Sequence, residues 1–298
     1  MKLAHSIGSI NNPIAAPPLD NITGNQPSAA WGLRKLSSSY TGAACSVVNS
    51  AGATSEVYFD NNNEVSLNSN TISGLTLQGF SALTADGNVF VDTWYDQTTG
   101  TIRNATQTTA AERPLLVEGT IAGGMRERAI RFIDDYFKVT GYRFPNPDDS
   151  CTILAVAKTK GGVFGVISDI EAYDDGVELI YNNADWSWRI KTSDLEENGI
   201  SAYSTSLQLA IASYDTSLGS NQQTLRVNGS GFSKNCGEDK HVASTDRFRI
   251  GSRKTTDNQL NGWIGEGMVW ESALSYHDTI SLENNIFTHY KIPKGSVG

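Results

Sequence analysis

The chain has 298 residues, with 23 Lys plus Arg against 32 Asp plus Glu and a formal net charge of −9. This acidic balance works against a broad phosphate-binding surface, which excludes nucleic acid as a first partner, and no apolar run approaches the ~20 residues needed to cross a bilayer. Charged residues reach only 18% while Gly, Ser, Thr and Asn abound, the composition of many short strands joined by tight turns.

Residues 1–28 stand apart from the rest. Pro13, Pro17, Pro18 and Pro27 are half of the eight prolines in the chain. Proline fixes φ and removes a backbone donor, so an extended arm is expected, ordered only where a surface receives it. Leu3, Ile7, Ile10, Ile14, Leu19 and Ile22 recur every three to five residues and offer apolar teeth for a groove on a partner or on the chain's own domain. The first fourteen residues hold no apolar run of signal-peptide length, so synthesis in a cytoplasm is expected.

Ala29 to Leu36 carries good helix formers ahead of the Ser37-Ser38-Ser39 turn signal, which predicts one short helix. Strands follow at Ala44 to Val48, Glu56 to Phe59, Val89 to Tyr95, Arg113 to Val117 and Ala129 to Phe132. Thr152 to Ala157, Val163 to Ser168, Val177 to Tyr181, Trp186 to Ile190, Leu207 to Tyr214, Gln223 to Val227, Phe248 to Gly251 and Trp263 to Trp270 continue the series. Each run is rich in β-branched and aromatic residues and bounded by Gly, Asn, Asp or Thr, which indicates a sandwich and not alternating βα units. Ser275 stands three residues before Asp278, the spacing of a helix cap, and Tyr276, Ile280, Ile286, Phe287 and Tyr290 then fall largely on one helical face. A C-terminal helix is therefore expected, stopped by Pro293.

Two groups of segments resemble a known family. AWGLRKLSSSYTGAA (30–44) and VDTWYDQTTGTIRNATQTT (91–109) resemble the concanavalin A-like lectin/glucanase (laminin-G-like) module of phage virion proteins, and the same pair occurs in the catalytic sandwich of B-type arabinofuranosidases. AIRFIDDYFKV (129–139), LRVNG (225–229) and FRIGSRKTTDNQLNGWIGEGMVWESALS (248–275) look like further parts of that module. The resemblance covers roughly residues 29–292 and implies an all-β, antiparallel two-sheet jelly-roll sandwich. An extended arm over 1–28 precedes the sandwich domain at 29–298.

Within TWYDQ, alternation sets Thr93 and Tyr95 on one face and Trp94 on the other, so the strand is expected to be central and apolar on both sides. Asp96 begins a loop, where an aspartate caps a turn or accepts backbone amides. A glycosidase needs two carboxyl groups about 5 to 5.5 Å or roughly 6.5 to 9.5 Å apart. EAYDDGVE (171–178) lacks the Glu-x-Asp-x-x-Glu spacing of laminarinase-like sandwiches. The vicinal cysteine pair that the arabinofuranosidase resemblance implies is also missing, because Cys45, Cys151 and Cys236 stand far apart. Glu171, Glu178 and Asp169 are the hydrolase candidates, and a non-enzyme is expected. His5, His241, His277 and His289 show no ligand spacing, so no metal is expected. Ca²⁺ at Asp148-Asp149 or Asp174-Asp175 competes with ordinary turn chemistry. In RFRI (247–250) arginine and apolar residues alternate, the pattern of a half-exposed strand.

Trp186 and Trp188 are two apart on one strand, so both indoles share a face: either both lie between the sheets or both form a platform for sugar C–H faces. Asn182, Asn183 and Asp185 would supply the polar rim. The expectation is a structural or accessory virion protein of a tailed phage, in capsid decoration, neck or tail. It is made in the host cytoplasm, docked on other virion proteins through its arm, and part of a homo-oligomer or larger assembly. A carbohydrate-binding lectin module is the alternative, and glycans are its implied partners.

Overall fold

The structure is a computed structural model that describes residues 16–65, 89–120, 126–142, 150–159, 163–170, 176–182, 185–191, 207–220, 222–235, 248–252 and 259–295. In chain order the strands are β1 (Ala29–Gly32), β2 (Cys45–Asn49), β3 (Thr54–Val57), β4 (Val89–Trp94), β5 (Ala105–Thr106), β6 (Leu115–Thr120), β7 (Arg126–Asp135), β8 (Phe137–Val139) and β9 (Cys151–Thr159). They continue as β10 (Val163–Ile170), β11 (Gly176–Asn182), β12 (Asp185–Lys191), β13 (Gln208–Tyr214), β14 (Gln223–Val227), β15 (Ser230–Lys234), β16 (Phe248–Ile250) and β17 (Leu260–Trp270), followed by helix α1 (Tyr276–Tyr290).

Every strand pairing is antiparallel, and the pairings make two layers. The first runs β15-β14-β13-β9-β17; the far edge of β17 takes β7, then β6, at one end and β1 at the other. The second runs β12-β11-β10-β16-β8-β5-β4-β2-β3. One pairing, Phe90 with Leu115, joins β4 to β6 and stitches the layers together. The two-residue turn Asn228-Gly229 between β14 and β15 has φ of 50° and 85°, the left-handed geometry that an Asn-Gly hairpin supplies at low cost.

Alternation builds the core. Trp31, Trp94, Phe132, Phe137, Trp186 and Phe248 are buried in one cluster drawn from both layers. In β9, Ile153, Ala155 and Ala157 join that cluster, while Leu154 and Val156 turn to the opposite side. There they meet Leu209, Ile211, Met268 and Trp270 under Leu282, Ile286, Phe287 and Tyr290 of α1. The first sheet is thus apolar on both faces, and α1 is the layer that covers the second of them. As the spacing predicts, the Ser275 side chain caps α1 by accepting from the Asp278 N–H at 3.0 Å. The helix ends at Lys291, whose φ is 54°.

Two expectations need correction. Ala29 to Leu36 does not form a helix: Ala29–Gly32 is a strand, paired to β17 from Ala29 with Val269 to Gly32 with Glu266. Local propensity is a weak prior, and the backbone groups of this stretch are taken by long-range partners. The arm is the second. Leu19 and Ile22 are buried in the cluster beneath α1 and are not held out for a partner. Thr23 donates its N–H and Oγ to Asp278 Oδ1 at 3.0 and 3.1 Å, Trp270 Nε1 donates to Asn25 O at 3.1 Å, and Ser28 N donates to Val269 O at 2.8 Å. The segment from residue 16 therefore belongs to the sandwich, as a strap over its outer layer. Leu3, Ile7, Ile10 and Ile14 lie outside the described residues.

Candidate functional site on the outward face of the second sheet

The most legible motif turns out to be architectural. Asp96 accepts the N–H groups of Ala30, Thr98 and Arg103 at 3.0, 3.0 and 2.9 Å, and the Thr98 hydroxyl at 3.0 Å. Burial pushes its carboxyl above the usual range while these hydrogen bonds pull it down. Gln97 is wholly buried; its Oε1 accepts from Leu36 N at 2.8 Å and its Nε2 donates to Gly32 O and Arg34 O at 2.8 and 3.1 Å. Together they hold the chain from 30 to 36 in place, which is the turn-capping role read for Asp96. Tyr95 is half-buried and donates to Glu56 Oε1 at 2.7 Å, so β4 is central but polar on its outward side. Nearby, Arg34 pairs through Nε with Glu266, both almost fully buried, and donates from Nη1 to Asn285 Oδ1 at 2.8 Å.

The sugar platform expected at Trp186 and Trp188 is not formed. The two side chains are 0% and 2% exposed and belong to the core between the layers. Trp186 donates from Nε1 to buried Gln208 Oε1 at 2.9 Å and meets Tyr181 edge to face at 5.7 Å. The physical reason is register: pairing of Trp186 with Tyr181 and Trp188 with Leu179 puts the indoles on the side of β12 that faces the opposite sheet. Asn182 and Asp185 pair with each other at the ends of β11 and β12. Asn183 lies outside the described residues, as do Glu171, Asp148-Asp149, Asp174-Asp175 and Cys236. Asp169 pairs through its backbone with Phe248 and Val177.

The outward face of the second sheet carries the chemistry. Direct pairings set Glu178 opposite Ser168, Ser168 opposite Arg249, and Arg249 opposite Lys138. Paired residues share a face, so these four form one row across β11, β10, β16 and β8. Lys138 in turn pairs with Thr106 and Thr106 with Thr93. An outward row on a sandwich is ordinarily solvated. Here Glu178 and Ser168 are both 0% exposed and Arg249 is 4% exposed, whereas Lys138 is exposed and the threonines are half-buried. The row therefore runs from an enclosed carboxylate to an open lysine. Adjacent strands lie about 4.8 Å apart, which brings the Glu178 and Arg249 backbones to roughly 10 Å, within reach of an extended guanidinium. Ser168 Oγ donates to Ser252 O at 2.8 Å. The Tyr136 ring lies 5.9 Å from Arg249 Cζ and 5.6 Å from Lys138 Nζ.

Sequence patterning missed this row for an identifiable reason. RFRI reads as a half-exposed strand, and Phe248 and Ile250 do face the core, but Arg249 is buried on the other side as well. Period-two alternation marks which face a residue occupies and not whether that face is closed over. Asp135, where β7 gives way to β8, is a second perturbed carboxyl. It is 7% exposed, accepts from Ile133 N at 2.9 Å, and burial pushes its pKa up to about 7. Among the described residues no group of three or more His, Cys, Asp or Glu is placed to hold a metal.

No protein-family model matches this chain, and no curated protein matches it. Solved structures do. An arabinofuranosidase complexed with arabinofuranosyl-α-1,2-xylobiose aligns with a TM-score of 0.60 at 13% identity, over 91% of this chain and 64% of that one. A GH54 α-L-arabinofuranosidase mutant soaked with 4-nitrophenyl α-L-arabinofuranoside aligns with a TM-score of 0.62 at 13% identity, over 94% and 66%. The same type of enzyme soaked with a cyclic sulfate inhibitor gives 0.60 at 15% identity, over 94% and 66%. At such identities the likeness is one of fold, and this chain spans about two thirds of the length of each enzyme. Of the resemblances carried by the sequence motifs, the arabinofuranosidase sandwich is the one these structures bear out.

Proposed function

We propose that this chain is a carbohydrate-binding β-sandwich whose ligand lies along the outward face of the second sheet, with Glu178 and Arg249 at the enclosed end. The observation that carries this reading is the burial of a carboxylate and a guanidinium two strands apart, with β10 between them, on the side of the sheet away from the core. Burying such groups is costly, and sites that retain them use them. A carboxylate accepts sugar hydroxyls and a guanidinium donates to ring and hydroxyl oxygens. The shared fold with arabinofuranosidases supports carbohydrate as the ligand class by analogy.

The test is a glycan array followed by calorimetry on Glu178→Gln and Arg249→Met. Binding by the intact chain that falls at least about tenfold in each variant, with folding retained, supports the site. A chain that binds no glycan overturns it.

Glycoside hydrolysis is a second reading, supported by the fold shared with arabinofuranosidases. Release of 4-nitrophenol from 4-nitrophenyl α-L-arabinofuranoside, lost in Glu178→Gln, would establish it. Deployment on a phage particle remains a proposal about where the chain works. It is supported by the apolar spacing of Leu3, Ile7, Ile10 and Ile14, and mass spectrometry of purified particles tests it.

A further inference from the structure

We propose that Arg131 anchors a second ligand site, on the first sheet, that takes the carboxylate of a small organic acid. Arg131 is 1% exposed, and its Nε, Nη1 and Nη2 are all enclosed without a hydrogen-bond partner among the described residues. A guanidinium carries only donors, and holding one away from water with none of them used is costly. Arg34, buried to a similar degree, shows the ordinary arrangement: it bonds both Glu266 and Asn285.

Register fixes where this cation sits. Arg131 on β7 is opposite Leu115 of β6 and Trp263 of β17, and Trp263 is opposite Lys158 of β9. Paired residues share a face, and Ile130, Phe132 and Ile264, their chain neighbours, belong to the core between the layers. The row is therefore on the outward face of the first sheet. It lies outside the cluster that α1 covers, because Leu115, Val117, Ala129 and Trp263 form a separate buried group. Arg131 Cζ is 5.8 Å from the centre of the Trp263 ring, and Lys158 Nζ is 5.1 Å from it. A ring face holds a cation less strongly than the water that burial removes. Burial lowers the Arg131 pKa, and Asp135 opposes that shift but bonds none of the three nitrogens. With its own pKa raised to about 7, Asp135 is only partly ionised at neutral pH.

The unused chemistry selects the ligand. Free N–H donors call for acceptor oxygens and a buried positive charge calls for a negative one, which excludes cations and neutral apolar molecules. Arg131 is a single buried charge in an apolar setting, so a singly charged group balances it, whereas a doubly charged phosphate leaves surplus charge out of water. A carboxylate is also planar and takes the guanidinium fork through two parallel N–H···O bonds. Lys158 and Ile133 beside this pair are only half-buried. The face reaches solvent there, and the rest of the acid extends that way, past a second positive charge at Lys158. The site is on the other sheet from Glu178 and Arg249 and does not rest on the glycan reading.

The experiment titrates the full chain, at neutral pH and fixed ionic strength, with sodium acetate, propanoate and benzoate, and separately with sodium phosphate and sodium chloride. Calorimetry reads binding and thermal melts read stability. The expected result is saturable binding of at least one carboxylate, with a melting temperature that rises as it saturates. Binding should weaken by at least about tenfold in Arg131→Lys, which keeps the charge and loses the fork, and vanish in Arg131→Met. Without ligand, Arg131→Met should melt no lower than the parent, because it removes a stranded charge; a clearly lower melt would show the guanidinium already satisfied and overturn the proposal. Absence of saturable binding by all the carboxylates overturns it, as does binding that persists at full strength in Arg131→Lys. Phosphate or chloride that binds as tightly as the carboxylates overturns the assignment of ligand class. Carboxylate binding lost in Arg249→Met but kept in Arg131→Met would move the ligand to the second sheet and overturn this site.

Discussion

The Arg34–Glu266 pair gives the sharpest test of how the outer layer is held. Both side chains are nearly or wholly buried, at 3% and 0% exposed. Arg34 reaches from the end of β1 to Glu266 in the middle of β17, bonds Asn285 on α1, and lies 5.7 Å from the Tyr290 ring. Glu266→Gln keeps the shape and removes the charge, leaving a guanidinium buried with a neutral partner. Breaking a buried pair from one side costs about 3–5 kcal/mol, because the remaining charge is uncompensated. At roughly 2–4 °C per kcal/mol for a domain of a couple of hundred residues, the melting temperature should fall by about 6–20 °C. Replacing both partners, as Arg34→Met with Glu266→Leu, should recover most of that loss, since no charge is stranded. The deficit of the single variant should also persist in high salt, which screens exposed charges and not buried ones. Thermal and urea melts measure all of this. A Glu266→Gln protein that melts within 2 °C of the parent would refute the argument.

Four further outcomes follow from the same geometry. Trp186→Ala should cost about 3–5 kcal/mol in urea unfolding, because it opens a large cavity in the core, while any residual folded protein keeps its glycan affinity. Deleting residues 1–28 should lower the melting temperature by several degrees or yield insoluble protein, because Leu19 and Ile22 leave the cluster under α1 exposed; an unchanged melt would restore the free-arm picture. Asp135 has a folded pKa raised to about 7 by burial, above the ~3.9 of an unfolded aspartate, so the folded state holds the proton more tightly. Its contribution is then complete below about pH 4 and lost as pH rises through about 7, and Asp135→Asn should flatten the stability profile across that window. His289 is pushed down to about 2 by burial, with Arg34 and Lys291 adding to the effect. Its stabilising share is present above about pH 6.5 and lost as pH falls, so His289→Gln should reduce the acid sensitivity seen in melts between pH 6.5 and 4.

The sequence by itself determined the class of fold and most of the strands. It did so because period-two alternation and turn chemistry are local: Gln223–Val227 is a strand between the limits expected, and Ser275 caps α1 where its spacing to Asp278 says it should. It also determined the role of Asp96, since an aspartate after a strand has backbone amides within reach wherever the strand goes. Only the tertiary structure decided the rest. Ala29–Gly32 became a strand because β17 lay alongside it, a partner more than 230 residues away in the chain and invisible to local propensity. Alternation showed that Trp186 and Trp188 share a face, but which face met the opposite sheet depended on the pairing of β12 with β11. Glu178, Ser168, Arg249 and Lys138 come from four strands spread over more than a hundred residues, and nothing in their spacing joins them. Register across β11, β10, β16 and β8 puts them in one row, because cross-strand neighbours are set by hydrogen bonding between strands and not by distance along the chain.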